Sequence, residues 1–252
     1  MVKEIKKEKL TGKVFASREE MGKAAASYAA DKIRALLKEQ LYVNAIFAAA
    51  PSQSETLKYL IKEDIDWLRV RAFHMDEYIG LKADSPNTFA SFLTKNLFSR
   101  VKFKEVYLIG TDSDSEAVCQ RYTTLLKEFP PDLVCLGIGE NGHIAFNDPH
   151  IAEFNDKELI KVVDLDLKCR EQQVNDKTFA SLNDVPTHAV TLTVPALTGA
   201  KHLVCTVPAP TKAWAVNQTF AAEISEQIPS TIMRTHDSAV MFADVDSASL
   251  LL

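Results

Sequence analysis

Basic charge, glycine and long apolar runs are all scarce in this chain of 252 residues. Lysine and arginine number 29 against 34 acidic residues, which is the wrong balance for the basic face that binds nucleic acid. No apolar segment approaches the length that crosses a bilayer, and no apolar run follows the basic start at 3–9, which argues against a secretory signal. We expect a globular protein that contacts neither nucleic acid nor membrane and begins with a frayed, solvated segment.

Cysteine is scarce as well, with four residues that form no C-x-x-C pair. Cys135 and Cys205 lie in apolar runs that predict buried strands. Buried, unpaired cysteines are typical of a reducing compartment rather than of a disulfide framework or a zinc site. The cysteine pattern therefore predicts a cytoplasmic protein and no metal site.

Short apolar runs alternate with longer amphipathic segments along the whole chain. Ser17 and Glu20 form a capping box, and apolar residues follow at helical spacing as far as Leu37. The apolar runs predict strands at 43–50, 67–73, 106–109, 133–138, 188–194, 202–207 and 239–243. The amphipathic segments predict helices at 56–61, 87–98, 115–129 and 211–220, and a short closing helix. Continuous apolar strands separated by helices favour an α/β fold with a mostly parallel sheet covered on both faces.

The domain organisation is predicted to be simple. No repeat, low-complexity segment or flexible linker divides the chain, so residues 1–252 are expected to form a single domain. The stretch at about 150–186 is more polar and less periodic than its surroundings. We expect it to form a lid or a small insertion over the functional site.

The most informative segment is 134–149, where an apolar run ends in Gly137, Gly139 and Gly142. Glycine allows a sharp turn and the close approach of a ligand, because it has no Cβ. Asn141, His143 and Asp148 share this turn, whose position after a buried strand is the edge at which open α/β sheets bind ligands. These three side chains are the first candidates for chemistry. The alternative is a glycine-punctuated loop that carries one solvated histidine.

A second candidate segment, 73–81, also follows a predicted strand and should end at the same sheet edge. It contains the adjacent acids Asp76 and Glu77. Successive side chains of an extended segment point to opposite faces, so we expect one acid to serve chemistry and the other to be structural. The alternative is a solvated acidic turn.

Two further strand-to-helix turns are candidate ligand loops. Thr211 and Lys212 open a predicted helix, where free backbone N–H groups and a cation suit an anion such as phosphate. Ser52 and Gln53 lie in the turn at 50–55, where the serines either donate to a ligand oxygen or cap the next helix. A lysine on a solvated helix face and simple helix capping are the respective alternatives.

Together these segments resemble the glucosamine-6-phosphate deaminase (isomerase) family. The phrases Met-Asp-Glu-Tyr-Ile-Gly-Leu at 75–81 and Gly-Ile-Gly-Glu-Asn-Gly-His-Ile-Ala-Phe-Asn-Asp-Pro at 137–149 are similar to that family's two signatures. The second phrase also differs from the related sugar-phosphate lactonases, in which Gly-His-Thr-Ala-Ser is expected. The likeness runs from the first predicted helix to the C-terminus.

The resemblance implies a Rossmann-like open sheet and a reaction without cofactor or metal. The expected substrate is a small amino sugar 6-phosphate, converted to fructose 6-phosphate and ammonia. Asp76 matches the base that moves a proton from C2 toward C1, and His143 matches the group that opens the pyranose ring. Asn141 and Asp148 are expected to position the imidazole, Asp148 standing where the family has glutamate.

The phosphate side of the resemblance is less complete. Lys212 matches a phosphate-binding lysine, but Ser52 and Gln53 stand in a loop where the family has paired glycines. Lys177 stands where the family commonly has arginine, and lysine cannot form arginine's bidentate fork on phosphate. With Gly142, these residues make up the expected substrate-binding set. A sugar-phosphate lactonase, with His143 activating water, and an inactive sugar-phosphate-binding protein remain alternatives. The sequence does not decide whether the chain forms a homo-oligomer.

Overall fold

The computed structural model describes residues 1–111 and 114–252. Its strands are β1 Lys3–Lys7, β2 Leu10–Phe15, β3 Val43–Phe47, β4 Val70–His74, β5 Asp76–Tyr78, β6 Glu105–Tyr107, β7 Leu133–Leu136, β8 Ile160–Asp164, β9 His188–Leu192, β10 His202–Val207 and β11 Ala239–Asp244. Its helices are α1 Arg18–Glu39, α2 Ser54–Leu60, α3 Phe89–Leu93, α4 Ser115–Glu128, α5 Leu167–Asn175, α6 Val194–Thr198 and α7 Ala213–Ala221.

Eight of the strands form one sheet in the order β1-β2-β11-β10-β7-β3-β4-β6. Every neighbouring pair is parallel except β1 and β2, which pair antiparallel at the edge. This architecture confirms the predicted open, mostly parallel sheet. The expectation of a frayed start at 3–9 is wrong, because Lys3–Lys7 is an edge strand whose charged side chains face solvent.

Helices cover both faces of the sheet because its strands alternate between two apolar clusters. In β3, Ala45 and Phe47 belong to the cluster that packs against α1 and α2, whereas Ile46 belongs to the opposite one. That second cluster includes Tyr122 of α4 and Val216 of α7. Two-sided burial explains why these strands read as continuous apolar runs. Among the described residues, no helix has both the length and the apolar character needed to span a membrane.

A second, three-stranded antiparallel sheet, in the order β5-β9-β8, lies outside the main one. The predicted strand at 188–194 belongs to this small sheet as β9. Strand β8 and helix α5 arise within the stretch at 150–186, for which the sequence predicted a lid or a small insertion. The expected closing helix is also wrong, since residues 245–251 form turns.

Candidate active site

Four segments that follow β3, β4, β7 and β10 meet at one edge of the main sheet and line one cavity there. Five of the nine residues expected to act in catalysis or substrate binding line it: Ser52, Gln53, Asp76, His143 and Lys212. The carboxyl ends of parallel strands thus bring together side chains that are up to 160 positions apart in sequence.

The glycine turn allows His143 to lie against the backbone. A Cβ on Gly139 would overlap the imidazole ring, so a larger residue there would displace it. The turn is closed by hydrogen bonds from the Gly139 N–H to the His143 carbonyl, 2.9 Å, and from the Gly142 N–H to the Gly139 carbonyl, 3.1 Å. Gly142 has φ +87°, a conformation that favours glycine.

Two oxygen atoms approach one nitrogen of the buried His143 ring. Its Nδ1 lies 2.7 Å from Asn141 Oδ1 and 3.0 Å from Asp148 Oδ1. Asn141 Nδ2 in turn donates to Asp148 Oδ1 at 2.8 Å, which identifies Asn141 Oδ1 as an acceptor. Because both neighbours of Nδ1 are acceptors, we assign the proton of the neutral ring to Nδ1 and leave Nε2 free to accept a proton.

Asp148 lies fully buried beneath the imidazole. Burial opposes its ionisation, but the charge of His143 and hydrogen bonds from His143 and Asn141 outweigh that effect and lower the pKa of the carboxyl. An ionised Asp148 holds the ring in one orientation and stabilises its protonated form. Asn141 and Asp148 thus lie behind His143 rather than in the cavity lining.

Asp76 and Glu77 point in opposite directions, as strand geometry predicts. Asp76 lines the cavity, while Glu77 is fully buried and accepts hydrogen bonds from the backbone N–H groups of Phe89 and Ala90 at 3.1 and 2.9 Å. Glu77 therefore caps the N-terminus of α3. Burial raises the pKa of Asp76 well above its usual range, and the charge of Glu77 raises it further.

A further part of the cavity lining, called here the Lys212 end, is formed by Lys212 and the turn after β3. Lys212 is 5% exposed, and burial lowers the pKa of its ammonium group, although Asp176 and Glu140 act in the opposite direction. Gln53 Nε2 donates to the Thr206 carbonyl at 3.2 Å. A Cβ on Gly137 would lie 2.9 Å from that nitrogen, so this glycine makes room for Gln53.

The structure does not bring two of the expected substrate-binding residues into the cavity. Lys177 is exposed at a turn with φ +59° and is not among the described residues that line it. Gly142 packs toward Ile228 and Ser230 on the far side of the turn. The physical reason is local in both cases, since each residue occupies a left-handed turn that points it away from the cavity.

Sequence reasoning missed several residues that line the cavity. They come from α1 and from the segment around α5: Arg18, Gln172, Gln173, Asp176 and Thr178. Arg18 Nε donates to Glu55 Oε2 at 2.7 Å, and its guanidinium also reaches the Pro51 carbonyl. The only sequence signal for α5 was Asp166, whose side chain caps the helix by accepting from the Cys169 N–H.

Comparison with known proteins identifies the family to which the chain belongs. The family model described as glucosamine-6-phosphate isomerases/6-phosphogluconolactonase matches residues 16–242. A glucosamine-6-phosphate deaminase of Listeria innocua is 36% identical over 211 residues, covering 83% of this chain and 88% of the relative. One from Streptococcus sanguinis is 34% identical over 220 residues, covering 86% and 92%. The chain therefore belongs to the glucosamine-6-phosphate isomerase/6-phosphogluconolactonase family of enzymes.

Solved structures share the fold over nearly the whole chain. A monomeric glucosamine-6-phosphate deaminase superimposes with a TM-score of 0.86 at 28% identity, covering 95% of this chain and 99% of that one. A 6-phosphogluconolactonase from Thermotoga maritima gives a TM-score of 0.78 at 20% identity, with coverage of 94% and 100%. At that lower identity the likeness concerns the fold alone.

Proposed function

We propose that this protein converts an amino sugar 6-phosphate, glucosamine 6-phosphate first of all, into the matching ketose phosphate and ammonia. The observation that carries the proposal is the position of Asp76 and His143 in the lining of one cavity. A carboxylate and an imidazole on one small sugar can perform the two proton transfers that an aldose–ketose isomerisation requires. The names of the relatives at 34–36% identity agree with this chemistry.

We assign ring opening to His143. The step transfers a proton from O1 to O5 of the pyranose, and an imidazole can accept and return a proton near neutral pH. With Nδ1 turned toward Asn141 and Asp148, the free Nε2 accepts the O1 proton, and the imidazolium then donates it to O5. The ionised Asp148 stabilises the imidazolium between the two transfers.

We assign isomerisation, and the deamination that follows it, to Asp76. Its carboxylate removes the proton from C2 of the open-chain sugar and returns it to C1, while O1 gains a proton and the amine loses one, which leaves an imine at C2. Water adds to C2 and ammonia leaves, so one water is consumed for each ammonia released. Burial favours this step, because a desolvated carboxylate with a raised pKa is a stronger base than one in water.

The phosphate of the substrate is assigned to the Lys212 end. Lys212 and Arg18 supply the cations, and Ser52 and Gln53 supply neutral donors around the turn after β3. This set lacks an arginine free for bidentate binding, because Glu55 already engages Arg18. We therefore expect weaker phosphate binding than an arginine fork would give.

The lactonase alternative and the inactive alternative are tested by the same experiment. The protein is incubated with glucosamine 6-phosphate or with a phosphorylated gluconolactone, and ammonia and lactone hydrolysis are measured for wild type and Asp76→Asn. The proposal predicts ammonia release that Asp76→Asn abolishes. Lactone hydrolysis that survives this substitution favours the lactonase, whereas tight sugar-phosphate binding without turnover favours a binding protein.

Three further expectations remain proposals. The segment at 150–186, which brings α5 to the cavity, is proposed to close over the bound sugar. The four free cysteines favour a cytoplasmic location. A homo-oligomer stays a prediction that light scattering of the purified chain can decide.

A further inference from the structure

A thiol lies beside the pair formed by His143 and Asp148. Among the described residues, one nitrogen of His143, one oxygen of Asp148 and the sulfur of Cys169 all lie within 4.8 Å of one another. Each of the three residues is less than 9% exposed. The widely spaced cysteines gave no metal signal in the sequence, because only the fold brings α5 next to the glycine turn.

This cluster has unused ligand capacity. Asp148 Oδ2 is buried and accepts no hydrogen bond from a nitrogen or oxygen donor within the described part of the chain. The Cys169 thiol is the donor that lies against this carboxylate, and a metal ion bound to both groups would take the place of the thiol proton. The ligand types also fit one ion, since imidazole, carboxylate and thiolate are the ligands that zinc prefers.

A separate cleft leads to the cluster. It is lined by Asn141 and Cys169 together with Glu140 and Glu171, and the only residues that it shares with the substrate cavity are Gln172 and Thr211. Lys168 also lines the cleft, so its lining carries two acidic side chains and one basic side chain. A cation that enters it can reach Cys169 without passing through the site proposed for the sugar.

We propose that Zn²⁺ binds to His143, Asp148 and Cys169 and thereby inhibits the enzyme. The binding site stands on the geometry alone, whereas the inhibition rests on the proposed role of His143 in ring opening. The cation is an inhibitor in this proposal, not a cofactor of the reaction.

The inhibition follows from the ring nitrogen of His143 to which the cation binds. Nδ1 faces Asp148 and carries the ring proton, so metal binding at Nδ1 moves that proton to Nε2, while the Cys169 thiol releases its proton to solvent. The metal-bound ring then presents an N–H to the cavity and can no longer accept the O1 proton of the sugar. One thiolate and one carboxylate balance the two charges of the ion, which makes it tolerable in a buried place.

The required adjustment is small. Zinc binds sulfur at about 2.3 Å and nitrogen or oxygen at about 2.0–2.2 Å, so tetrahedral ligand atoms lie roughly 3.3–3.8 Å apart. His143 Nδ1 and Asp148 Oδ1 are 3.0 Å apart. No two of the three ligand atoms are more than 4.8 Å apart, so shifts of up to about 1 Å would bring them onto one ion, with water or Asn141 Oδ1 as the fourth ligand.

A second group of potential ligands shares Asp148 and sharpens the test. Asp148, His150 and Asp166 also lie within 4.8 Å of one another, with His150 exposed. If a cation used this group instead, Cys169 would be dispensable and His150 would not. The two sites are separated by the variants Cys169→Ser and His150→Ala.

The experiment uses the full chain and Co²⁺ as a spectroscopic probe. Wild type, His150→Ala and Cys119→Ser, which removes the most exposed thiol, are expected to show a thiolate-to-cobalt charge-transfer band at one equivalent. Cys169→Ser is expected to lose the band, and Zn²⁺ is expected to inhibit its ammonia release at least ten-fold more weakly than that of wild type. X-ray absorption of zinc-loaded Cys119→Ser provides a measurement that does not depend on the folding of Cys169→Ser, with one sulfur expected at about 2.3 Å.

The proposed binding site would be overturned if wild type showed no band, if the band persisted in Cys169→Ser, or if it were lost in His150→Ala. Full activity of a zinc-loaded wild-type enzyme would overturn the inhibition. If wild type released no ammonia from any amino sugar phosphate, the proposed function would fail, but the spectroscopic and absorption results would still decide the binding site.

Discussion

His143 rests on a buried layer of polar groups, whereas Lys212 has no such support among the described residues. Asn141 and Asp148 hold the imidazole from behind, and Glu77 lies behind Asp76 while capping α3. Lys212 is buried without an ion pair within 4.0 Å among the described residues, and Arg18 is engaged by Glu55. For the proposed reaction, we therefore expect the orientation of the His143 ring to be tightly constrained and the recognition of the phosphate to be adjustable.

Alanine substitutions of two glycines are expected to give the largest effects that test this comparison. Gly139→Ala drives a methyl group into the imidazole, which its two neighbours prevent from moving, so kcat is expected to fall by about 100-fold. Gly137→Ala crowds the flexible end of the Gln53 side chain and meets the Thr206 carbonyl and Ser52 Oγ at ordinary contact distance, so we expect a change in KM and nearly unchanged kcat. Steady-state kinetics of both variants check this contrast, and an equal loss of kcat in both would contradict it.

Removal of the buried cation tests the phosphate end. Lys212→Ala deletes a charged contact worth roughly 1.5–3 kcal/mol, which corresponds to about a 10- to 150-fold rise in KM for the phosphorylated sugar. Lys177→Ala provides the matched control, because that exposed lysine lies outside the cavity lining. An effect of Lys177→Ala as large as that of Lys212→Ala would show that the phosphate binds elsewhere.

The pH profile of kcat/KM tests the part of the cavity that holds Asp76. A base must be ionised to act, and the pKa of Asp76 is raised, so kcat/KM should fall as pH decreases through a value well above the usual carboxyl range. Glu77→Gln removes the charge that contributes to the shift and should move this acidic limb to lower pH by about one unit or less. A profile unchanged by Glu77→Gln would argue that the limb belongs to another group.

The smallest expected effect concerns Asp176, the carboxylate that shares the cavity with Lys212. A carboxylate close to a bound phosphate repels it, so Asp176→Asn should lower KM for the phosphorylated substrate a few-fold, by less than about 1 kcal/mol at a partly exposed position. The effect should shrink at high salt. A higher KM would instead indicate that Asp176 binds the sugar.

The sequence predicted the turn that carries His143 and its position at the sheet edge, because the signals for that turn are local. Three glycines, an imidazole and a carboxylate within twelve residues define one turn, and strand alternation predicted that Asp76 and Glu77 would separate. The parallel sheet followed from continuous apolar strands, since two-sided burial leaves that pattern.

The remaining features depended on contacts that local patterns do not carry. Strand β1 is charged because it is an edge, and the same charges suggested a solvated start. Helix α5 directs Gln172 and Gln173 toward the cavity, which interrupts the apolar period by which helices are recognised. Arg18 belongs to the first turn of α1 and carries no motif, while Lys177 lies within the expected alignment but on a turn that points it outward.

The most direct test of the central claim follows hydrogen at C2 of glucosamine 6-phosphate in deuterated water. If the Asp76 carboxylate and the His143 imidazole act on one sugar, wild type will incorporate deuterium during turnover and Asp76→Asn will lose both incorporation and ammonia release. Incorporation at the wild-type rate in Asp76→Asn would contradict the account.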